Sequence, residues 1–411
     1  MNRQQHLQER VLALNNFRKN ELKKRYKGVK YFYKIILSAL SDYSLSMLAM
    51  LLTNHKPIAS NNDFLLLQSS EKVIKLNRKQ QLKKELTDKN LKLAETYLSK
   101  PTEVLRKRRY TKPILKVPLR YYLYAAHAEW LISKYNPKII LNDRNGSIFS
   151  LFLKERINYD KGFLVHLAHA TTIEDSRRLS MNEYDYYFLF GLSSYKALTN
   201  RKSLFGTSKI VLTGSHMIDQ SFNIEPPNIN KKTILLLGSG PDREKLAGYK
   251  SGYQLFLDWA KSKPEFKFLI KLHPRSKGEF WQNPPDNMKV LEQKVSLAYA
   301  LKQASITVVI ETNSVLEAGL CSRPIINIIS PSRHDLFNLE LFFGPPAHNI
   351  KKLNIKLERI VNNFEESVKK SEKFSQLHLA NGLNGLNTTI DKLLDLLENG
   401  ETSFDYELNG I

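Results

Sequence analysis

Cysteine is almost absent from this chain, which has only Cys321 among its 411 residues. A single cysteine excludes an internal disulfide framework and a zinc site built from several thiolates, and it indicates a reducing compartment. The Asp-x-Asp pattern that accompanies a metal-bound nucleotide is absent as well. The charge of a bound phosphate would therefore be neutralised by helix dipoles, histidine and arginine rather than by Mg²⁺, and we expect no metal site.

Long hydrophobic runs are scarce too. The first part of the chain, up to about residue 30, is too polar for a cleavable signal peptide. Residues 33–52 form the most apolar stretch, but Lys34 and Asp42 interrupt it, whereas a bilayer span needs about 20 predominantly apolar residues. We therefore expect a core helix here, with an interfacial helix as the alternative and a membrane span as the least favoured interpretation.

Acidic residues are too few to balance the basic ones. The chain has 63 Lys and Arg against 40 Asp and Glu, which gives a net charge of +23. Such an excess calls for an anionic partner, and it is densest at residues 18–27 and 106–109. Nucleic acid is not the expected partner, because no recognised nucleic-acid module is visible. We assign the excess partly to solvated helix faces and partly to an anionic cytoplasmic membrane surface.

Short apolar runs alternate with helical stretches after about residue 138, and this alternation predicts an α/β fold with parallel sheets. The residues before it are expected to be mostly helical, with one apolar run at 64–67, and the tail from Ile355 is expected to be helical. We predict two Rossmann-like domains. The predicted segments are a basic, mainly helical region at 1–60, a first domain at 61–221, a linker at 222–232, a second domain at 233–350 and a helical return at 351–411.

Three polar turns follow predicted strands in the second domain. Gly238-Ser239-Gly240 permits close approach of a ligand to the backbone. His273-Pro274-Arg275 ends another strand; His273 can donate to a departing phosphate, and Arg275 can bind phosphate with two hydrogen bonds. Thr312-Asn313-Ser314 begins a helix, so these residues either cap it or bind phosphate with its free N–H groups. Glu317, one turn later, is either a ligand for a ribose hydroxyl or a surface carboxylate.

Polar residues also follow two strands predicted in the first domain. Asp143 lies in a turn after the strand at 138–141, where it could act as a general base or cap the next helix. His166 lies at the end of the strand at 162–167, and His169 and Thr171 follow it. Either histidine could be a base or a contact for acceptor and phosphate, and each could equally be structural. The predicted site residues of this domain are therefore Asp143, His166, His169 and Thr171.

These motifs resemble those of bacterial surface-polysaccharide transferases of the GT-B class. The similar groups are capsule and lipopolysaccharide enzymes that use CMP-sialic acid or CMP-Kdo, and CDP-glycerol polyol-phosphate transferases. Both share a His-Pro motif and a later Ser/Thr motif at a helix start, here His273-Pro274 and Thr312-Asn313-Ser314. The resemblance covers roughly residues 138–330. UDP-sugar 2-epimerases share the fold and a His-Pro turn, but their glycine-rich helix start is absent here.

The resemblance implies a GT-B fold whose active site lies in a cleft between the two domains. It implies an inverting glycosyltransferase that needs no cofactor and takes a nucleotide-activated sugar, with CMP-linked sugars among the candidate donors. The enzyme would extend a glycan or lipid-linked acceptor at the inner face of the cytoplasmic membrane. Asp143, His169 and His273 would be catalytic. Residues 238–240, 312–314, His273, Arg275 and Glu317 would bind the donor. The alternatives are a CDP-polyol phosphotransferase and, in another class, a non-catalytic nucleic-acid-binding protein.

Overall fold

The computed structural model describes residues 3–52, 57–173, 177–329, 335 and 337–411. The chain divides into two compact units. Unit 1 comprises Met1–Met217 and Leu386–Ile411, and unit 2 comprises Ile218–Gly385. The chain therefore leaves unit 1 once and returns to it at its C-terminal end.

Unit 1 is an α/β unit that begins with two long helices. Its helices are α1 (Arg3–Arg25), α2 (Gly28–Leu51), α3 (Glu71–Leu76), α4 (Gln80–Asp88), α5 (Pro101–Arg106), α6 (Tyr122–Tyr135), α7 (Phe149–Tyr159), α8 (Leu192–Thr199) and the C-terminal α16 (Gly385–Asn399). Its strands are β1 (Asn62–Gln68), β2 (Leu93–Tyr97), β3 (Pro137–Asn142), β4 (Phe163–Leu167), β5 (Tyr186–Leu189), β6 (Thr207–Leu212) and β12 (Tyr406–Asn409).

Unit 2 repeats the alternation of strand and helix on a smaller scale. Its strands are β7 (Thr233–Leu237), β8 (Lys267–Lys271), β9 (Met288–Val290), β10 (Ile306–Val309) and β11 (Ile325–Asn327). Its helices are α9 (Pro241–Glu244), α10 (Ala247–Lys261), α11 (Leu297–Gln303), α12 (Val315–Leu320), α13 (Leu339–Phe343), α14 (Ile350–Asn362) and α15 (Phe364–His378).

Within the described residues, each unit contains one sheet. Sheet one, in unit 1, has the order β12-β6-β5-β4-β3-β1-β2, and all its pairs are parallel except β12 with β6. Sheet two, in unit 2, has the order β11-β10-β7-β8-β9 and is parallel throughout. The strands are almost continuously apolar because helices cover both faces of a parallel sheet. The predicted α/β class with two Rossmann-like units is confirmed.

The apolar core of each unit lies between its sheet and helices. In unit 1, Phe64, Leu66, Ile139 and Leu141 are buried with Leu393 of α16. In unit 2, a second cluster joins residues of β7, β8 and β10 to α10 and α14; among its members are Ile234, Trp259, Phe268, Val308 and Leu353. The C-terminal helix α16 therefore supplies core side chains to unit 1 and none to the unit 2 cluster.

The first hundred residues are mostly helical, as expected, and they also contain the strands β1 and β2. The polar residues of β2 concealed that strand. Two other sequence expectations are wrong in detail. The tail ends in the short strand β12 rather than in helix. The stretch at 33–52 is not a core helix, because α2 buries only Asp42, Ser46 and Ala49. By length and composition, α2 could cross a membrane.

Candidate active site

The order of strands reverses once in the parallel part of each sheet. In sheet one the reversal lies between β1 and β3, and in sheet two it lies between β7 and β10. Ligands of open α/β sheets bind outside the carboxyl ends of the strands at such points. Asp143 follows β3, Gly238 follows β7 and Thr312 follows β10 by a few residues. The predicted residues therefore lie where the topology of each unit favours a ligand.

Asp143 forms a buried ion pair with Lys79. The two side chains are each 2% exposed, and Lys79 Nζ lies 2.6 Å from Asp143 Oδ2. Lys79 also donates to Gln68 Oε1, at the end of β1, over 3.2 Å. Asp143 Oδ1 is buried without a hydrogen-bond partner among the described residues. The pair thus connects the ends of β1 and β3 and leaves one carboxylate oxygen able to accept a further hydrogen bond.

His166 is a structural residue in this unit. Its ring is fully buried; Asn142 donates to Nδ1 over 2.9 Å, and Nε2 donates to Asn145 Oδ1 over 2.7 Å. Burial, reinforced by the nearby His169 and Lys79, lowers its pKa well below the usual value. His166 is therefore neutral and engaged at both nitrogens, which favours its structural interpretation over a contact with acceptor or phosphate. It fixes the loop after β3 instead.

His169 and Thr171 line the same cavity as Asp143. This cavity, of about 550 Å³, lies at the carboxyl ends of β1, β3 and β4 and also includes Gly146 and Lys100. The His169 side chain reaches the surface. Desolvation lowers the pKa of His169, and Lys79 and Arg78 lower it further, whereas Asp143 opposes the shift. His169 is consequently a neutral imidazole near pH 7, which is the form that accepts a proton.

Two further members of this cluster were missed by the sequence analysis. Lys79 gave no signal because lysines are frequent nearby, and only the fold shows that it is buried. His216 is 2% exposed, and burial lowers its pKa to about 3, with Lys79 and His169 acting in the same direction. Its Nε2 has no hydrogen-bond partner among the described residues. The sequence signal for His216 was its position shortly after Thr213-Gly214, at the end of a predicted strand.

In unit 2 the glycine turn after β7 is tied to the end of β10. Ser239 Oγ donates to the Ile310 carbonyl over 2.8 Å, and Thr312 Oγ1 donates to the Gly238 carbonyl over 3.4 Å. Both hydroxyls are buried. Ser239 and Thr312 therefore hold the two turns of the reversal point together, and a ligand there would meet backbone N–H groups before these hydroxyls.

His273 and Arg275 converge on Gly240. The backbone N–H of Arg275 donates to His273 Nδ1 over 3.1 Å, so the neutral ring carries its proton on Nε2. A Cβ atom at Gly240 would lie 3.6 Å from Arg275 Nη2 and 3.8 Å from His273 Nε2. Arg275 is largely exposed, with Asp242 4.0 Å away. The turns after β7 and β8 thus bring an imidazole N–H and a guanidinium to one glycine.

Glu311 adopts a left-handed backbone conformation, with φ of 48°, at the end of β10. This conformation is uncommon for a residue other than glycine or asparagine and is retained only where its surroundings fix it. Arg243 Nη1 donates to the Glu311 carbonyl over 2.6 Å, and Tyr249 donates to its carboxylate. The strained residue aims the chain into the helix start at Thr312–Ser314. Arg243 was not predicted.

The remaining predicted residues surround this helix start. Asn313 is exposed, whereas Ser314 and Glu317 are partly buried. The Ser314 side chain does not cap α12. The N–H groups of Val315 and Leu316 donate instead to the carbonyls of Thr312 and Asn313, over 3.3 and 3.1 Å. Glu317 Oε2 is buried without a partner among the described residues, and desolvation raises the pKa of Glu317 to about 7. Glu317 is therefore not a surface carboxylate.

A resident metal site is not evident in the described part of the chain. No group of three or more His, Cys, Asp and Glu side chains there could hold a metal ion. The groups at the strand ends of unit 1 are a carboxylate–lysine pair and histidines. Those of unit 2 are a histidine, arginines and hydroxyls beside a glycine turn. These groups are suited to proton transfer and anion binding.

Comparisons with known proteins identify the fold. No protein-family model matches the chain, and no curated protein matches it. Two similar solved structures are a UDP-N-acetylglucosamine 2-epimerase from Listeria monocytogenes and the S. aureus MnaA protein solved with UDP. Each has a TM-score of 0.51 and 12% identity, covering 85% of this chain and 100% of that one. The calicheamicin glycosyltransferase CalG4 has a TM-score of 0.48 and 12% identity, covering 82% of this chain and 98% of its own.

At such low identity the likeness describes architecture alone. The fold is that of the Listeria monocytogenes UDP-N-acetylglucosamine 2-epimerase, with two Rossmann-like units. The predicted fold is confirmed to this extent. The residue-level resemblance to His-Pro enzymes that use CMP-linked donors stays a prediction.

Proposed function

We propose that this chain is a metal-independent, inverting glycosyltransferase that moves a sugar from a nucleotide donor to a hydroxyl of a growing bacterial surface glycan. The observation that carries the proposal is the convergence of His273, Arg275 and Gly240 at the reversal point of sheet two. An N–H donor, a guanidinium and open backbone are the groups that stabilise a departing phosphate.

Unit 2 would bind the donor. The turn at 238–240 would lie against the phosphates, because its glycines admit close approach. The Nε2–H of His273 and the guanidinium of Arg275 would donate to phosphate oxygens and neutralise the charge that develops on them. The backbone N–H groups at Thr312–Ser314 would add hydrogen bonds. Glu317 would accept from a ribose hydroxyl, which would give its unpartnered oxygen a partner.

Unit 1 would bind the acceptor. The acceptor hydroxyl would give its proton to a base, and the acceptor oxygen would form a bond to the anomeric carbon of the donor sugar. The bond from that carbon to the donor phosphate would break. His169 suits the role of base because its ring is neutral and reaches the cavity. Asp143 is the alternative, but the Lys79 ammonium already engages its carboxylate over 2.6 Å.

Epimerisation of a UDP-sugar is a second candidate. It is favoured by the similar fold of the Listeria monocytogenes UDP-N-acetylglucosamine 2-epimerase, at a TM-score of 0.51. Such an enzyme also needs a nucleotide site in unit 2, so His273 and Arg275 do not separate the two activities. A polyol-phosphate donor would use the same groups. The three activities differ in the bond broken and in their need for an acceptor.

A nucleotide panel tests the proposal. We expect at least one of CMP, CDP, UDP and GDP to raise the melting temperature in EDTA, and the sugar of the corresponding donor to be transferred only when an acceptor is present. Inversion at C2 of a UDP-sugar without any acceptor would replace transfer by epimerisation. The absence of a shift with every nucleotide, or activity that returns only with Mg²⁺, would refute the metal-independent transferase.

A further inference from the structure

Helix α2 is buried on its polar side and exposed on its apolar side. It faces unit 1 with Asp42, Ser46 and Ala49. Its large apolar residues recur at intervals of three and four and are exposed, including Val29 at 85%, Phe32 at 63%, Ile36 and Leu40 at 56%, Met47 at 52% and Leu51 at 68%. A helix on the surface of a soluble unit normally shows the reverse pattern. A contiguous exposed apolar face of this length marks an interaction site.

The polar side of α2 is anchored to unit 1. Asp42 forms an ion pair with Arg18 over 2.7 Å and accepts from Arg120 Nε over 3.2 Å and from Tyr124 over 3.0 Å. Ser46 donates to the Arg120 carbonyl. These bonds fix the rotation of the helix, so the apolar face points away from unit 1. A helix that crossed a bilayer would lose them and leave Arg18 and Arg120 without this carboxylate.

The segment that leads into α2 is strongly basic. Residues 22–41 contain six Lys and Arg and no acidic residue. Lys30 and Lys34 lie over the Tyr26 ring, with Nζ 5.7 and 5.9 Å from its centroid. Both ammonium groups sit beside the apolar face. The arrangement pairs an apolar surface with cations at one end of it.

Two cavities lined by basic residues lie near the start of α2. They measure about 900 and 650 Å³ and share Lys24, Arg201, Lys202 and Ser203, with Lys23 lining one and Arg25 the other. Lys24 is partly neutralised by Glu21 over 3.3 Å. The end of α1 and the turn after α8 thus form a cationic recess that could receive phosphate groups.

We propose that α2 and this recess together form a docking surface for an anionic lipid bilayer. The helix would lie in the plane of the interface, with its apolar side chains among the acyl chains and residues 23–34 at the level of the headgroups. The recess would hold lipid phosphates. The proposal rests on unit 1 alone and is independent of the reaction that the chain catalyses.

Charge decides between a bilayer and a second copy of the chain. A second copy joined through α2 would cover the apolar face but would offer no anionic group to the basic segment, because residues 22–41 of each copy carry six positive charges and no acidic residue. An anionic bilayer instead attracts each Lys or Arg and accepts the apolar face. Nucleic acid would satisfy the charge but would leave the apolar face in water. The bilayer is the partner that fits both features.

Vesicle flotation tests the surface. The full chain is mixed with neutral phosphatidylcholine vesicles or with vesicles that contain about one third phosphatidylglycerol. We expect binding to the anionic vesicles and little to the neutral ones. Ile36→Gln/Leu40→Gln/Met47→Gln and Lys23→Glu/Arg25→Glu/Lys27→Glu should each weaken binding about tenfold or more. Matched controls are Leu341→Gln/Ile355→Gln/Val361→Gln and Lys289→Glu/Lys351→Glu/Lys369→Glu, whose exposed positions lie in unit 2. Both should bind as the original chain does.

Several results would overturn the proposal. Equal recovery with neutral and anionic vesicles, or equal effects of the test and control variants, would exclude this surface. A dimer in light scattering that only the apolar variant disrupts would assign the face to a second copy. Resistance of the bound chain to alkaline carbonate would indicate a spanning helix. Stabilisation by soluble glycerol phosphate without vesicle binding would make the recess a small-anion site.

Discussion

The carboxyl ends of the two sheets hold polar residues of different kinds. At sheet one, Lys79, Asp143 and His166 are buried. Lys79 is bonded to Asp143 and Gln68, and His166 is bonded to two asparagines. At sheet two, the charged and ionisable groups that meet Gly240 are half-buried or exposed, and the buried hydroxyls of Ser239 and Thr312 hold the turns. One edge has its polar groups fixed in the core, and the other presents them to the solvent.

The difference is consistent with the separate tasks proposed for the two units. Proton transfer needs a base in a defined protonation state, and desolvation with the nearby Lys79 and Arg78 lowers the pKa of His169 so that its ring is neutral. Phosphate binding needs open backbone and cations that can reach their ligand, which Gly240 and Arg275 provide. Substitutions at the end of sheet one should mainly change the free energy of unfolding. Substitutions at the end of sheet two should mainly change turnover or nucleotide binding.

The largest effect is expected from Lys79→Met. The change leaves the Asp143 carboxylate buried without its cation, which typically costs about 3–5 kcal/mol. Thermal and denaturant unfolding should show a strongly destabilised chain. Lys83→Met is the matched control, because Lys83 and Glu95 form a pair of similar length, 2.9 Å, that is 24% and 20% exposed. Its cost should be about 1 kcal/mol or less.

The double substitution Lys79→Met/Asp143→Leu sharpens this test. Replacing both members of a buried pair by apolar residues is often nearly neutral. Stability should therefore recover much of what Lys79→Met loses. A double variant as unstable as the single one would show that Lys79 acts through Gln68 and not through Asp143.

The next effect concerns turnover and not the fold. His273→Ala removes one N–H donor from the proposed phosphate site, and loss of one such donor typically lowers turnover by about 10²–10³-fold. The melting temperature should hardly change, because His273 is only half-buried. Steady-state kinetics decide the point, with His348→Ala at an exposed position of unit 2 as control. Near-normal turnover in His273→Ala would remove it from the site.

Periodicity predicted much of the fold but could not predict which side of each element is buried. The runs at 138–141 and 233–237 gave strands because parallel strands are almost continuously apolar. The polar sequence Leu93–Tyr97 hid a strand at the edge of sheet one. The apolar stretch at 33–52 indicated a core helix, yet Asp42 holds its polar side inward through Arg18 and Arg120. Such long-range ion pairs leave no local pattern.

The candidate site shows the same contrast between local patterns, which the sequence reveals, and long-range contacts, which it does not. His273, Arg275 and the turn at 238–240 were found because they directly follow strands, and strand ends meet at one edge of a sheet. Lys79 was missed because it lies eleven residues beyond the end of β1, directly before helix α4. His166 was taken as a site residue because the sequence does not show that Asn142 and Asn145 occupy both its nitrogens.

A smaller effect, dependent on pH, is expected from Glu317→Gln. Desolvation raises the pKa of Glu317 from its ordinary 4.5 to about 7, so the folded chain must ionise a buried carboxyl above pH 7, which the unfolded chain does without cost. The carboxylate therefore destabilises the fold at pH 8 and not at pH 4. Glu317→Gln should gain about 1–3 kcal/mol at pH 8 only. Thermal unfolding at both pH values measures this.

The exposed Glu358→Gln on α14 is the matched control for that change and should leave the melting temperature the same at both pH values. If Glu317→Gln were equally stable or less stable than the original chain at pH 8, its carboxylate would have a partner that offsets burial. A simultaneous loss of nucleotide binding would connect Glu317 to the donor.

The smallest effect on stability is expected from Gly240→Ala, which directly tests the proposed phosphate site at the carboxyl end of sheet two. Gly240 has φ of −71°, so alanine fits its backbone, and the new Cβ would make ordinary contacts, at 3.6–3.9 Å, with Arg275 and His273. Unfolding should change by about 0.5 kcal/mol or less. Nucleotide affinity should nevertheless fall, because the methyl group fills the space that the two donors share. Gly238→Ala provides the contrast: its Cβ would lie 3.2 Å from the Lys271 carbonyl, so the backbone must shift and stability should fall. Thermal shifts with and without nucleotide separate the two losses, and unchanged affinity in Gly240→Ala would place the phosphate elsewhere.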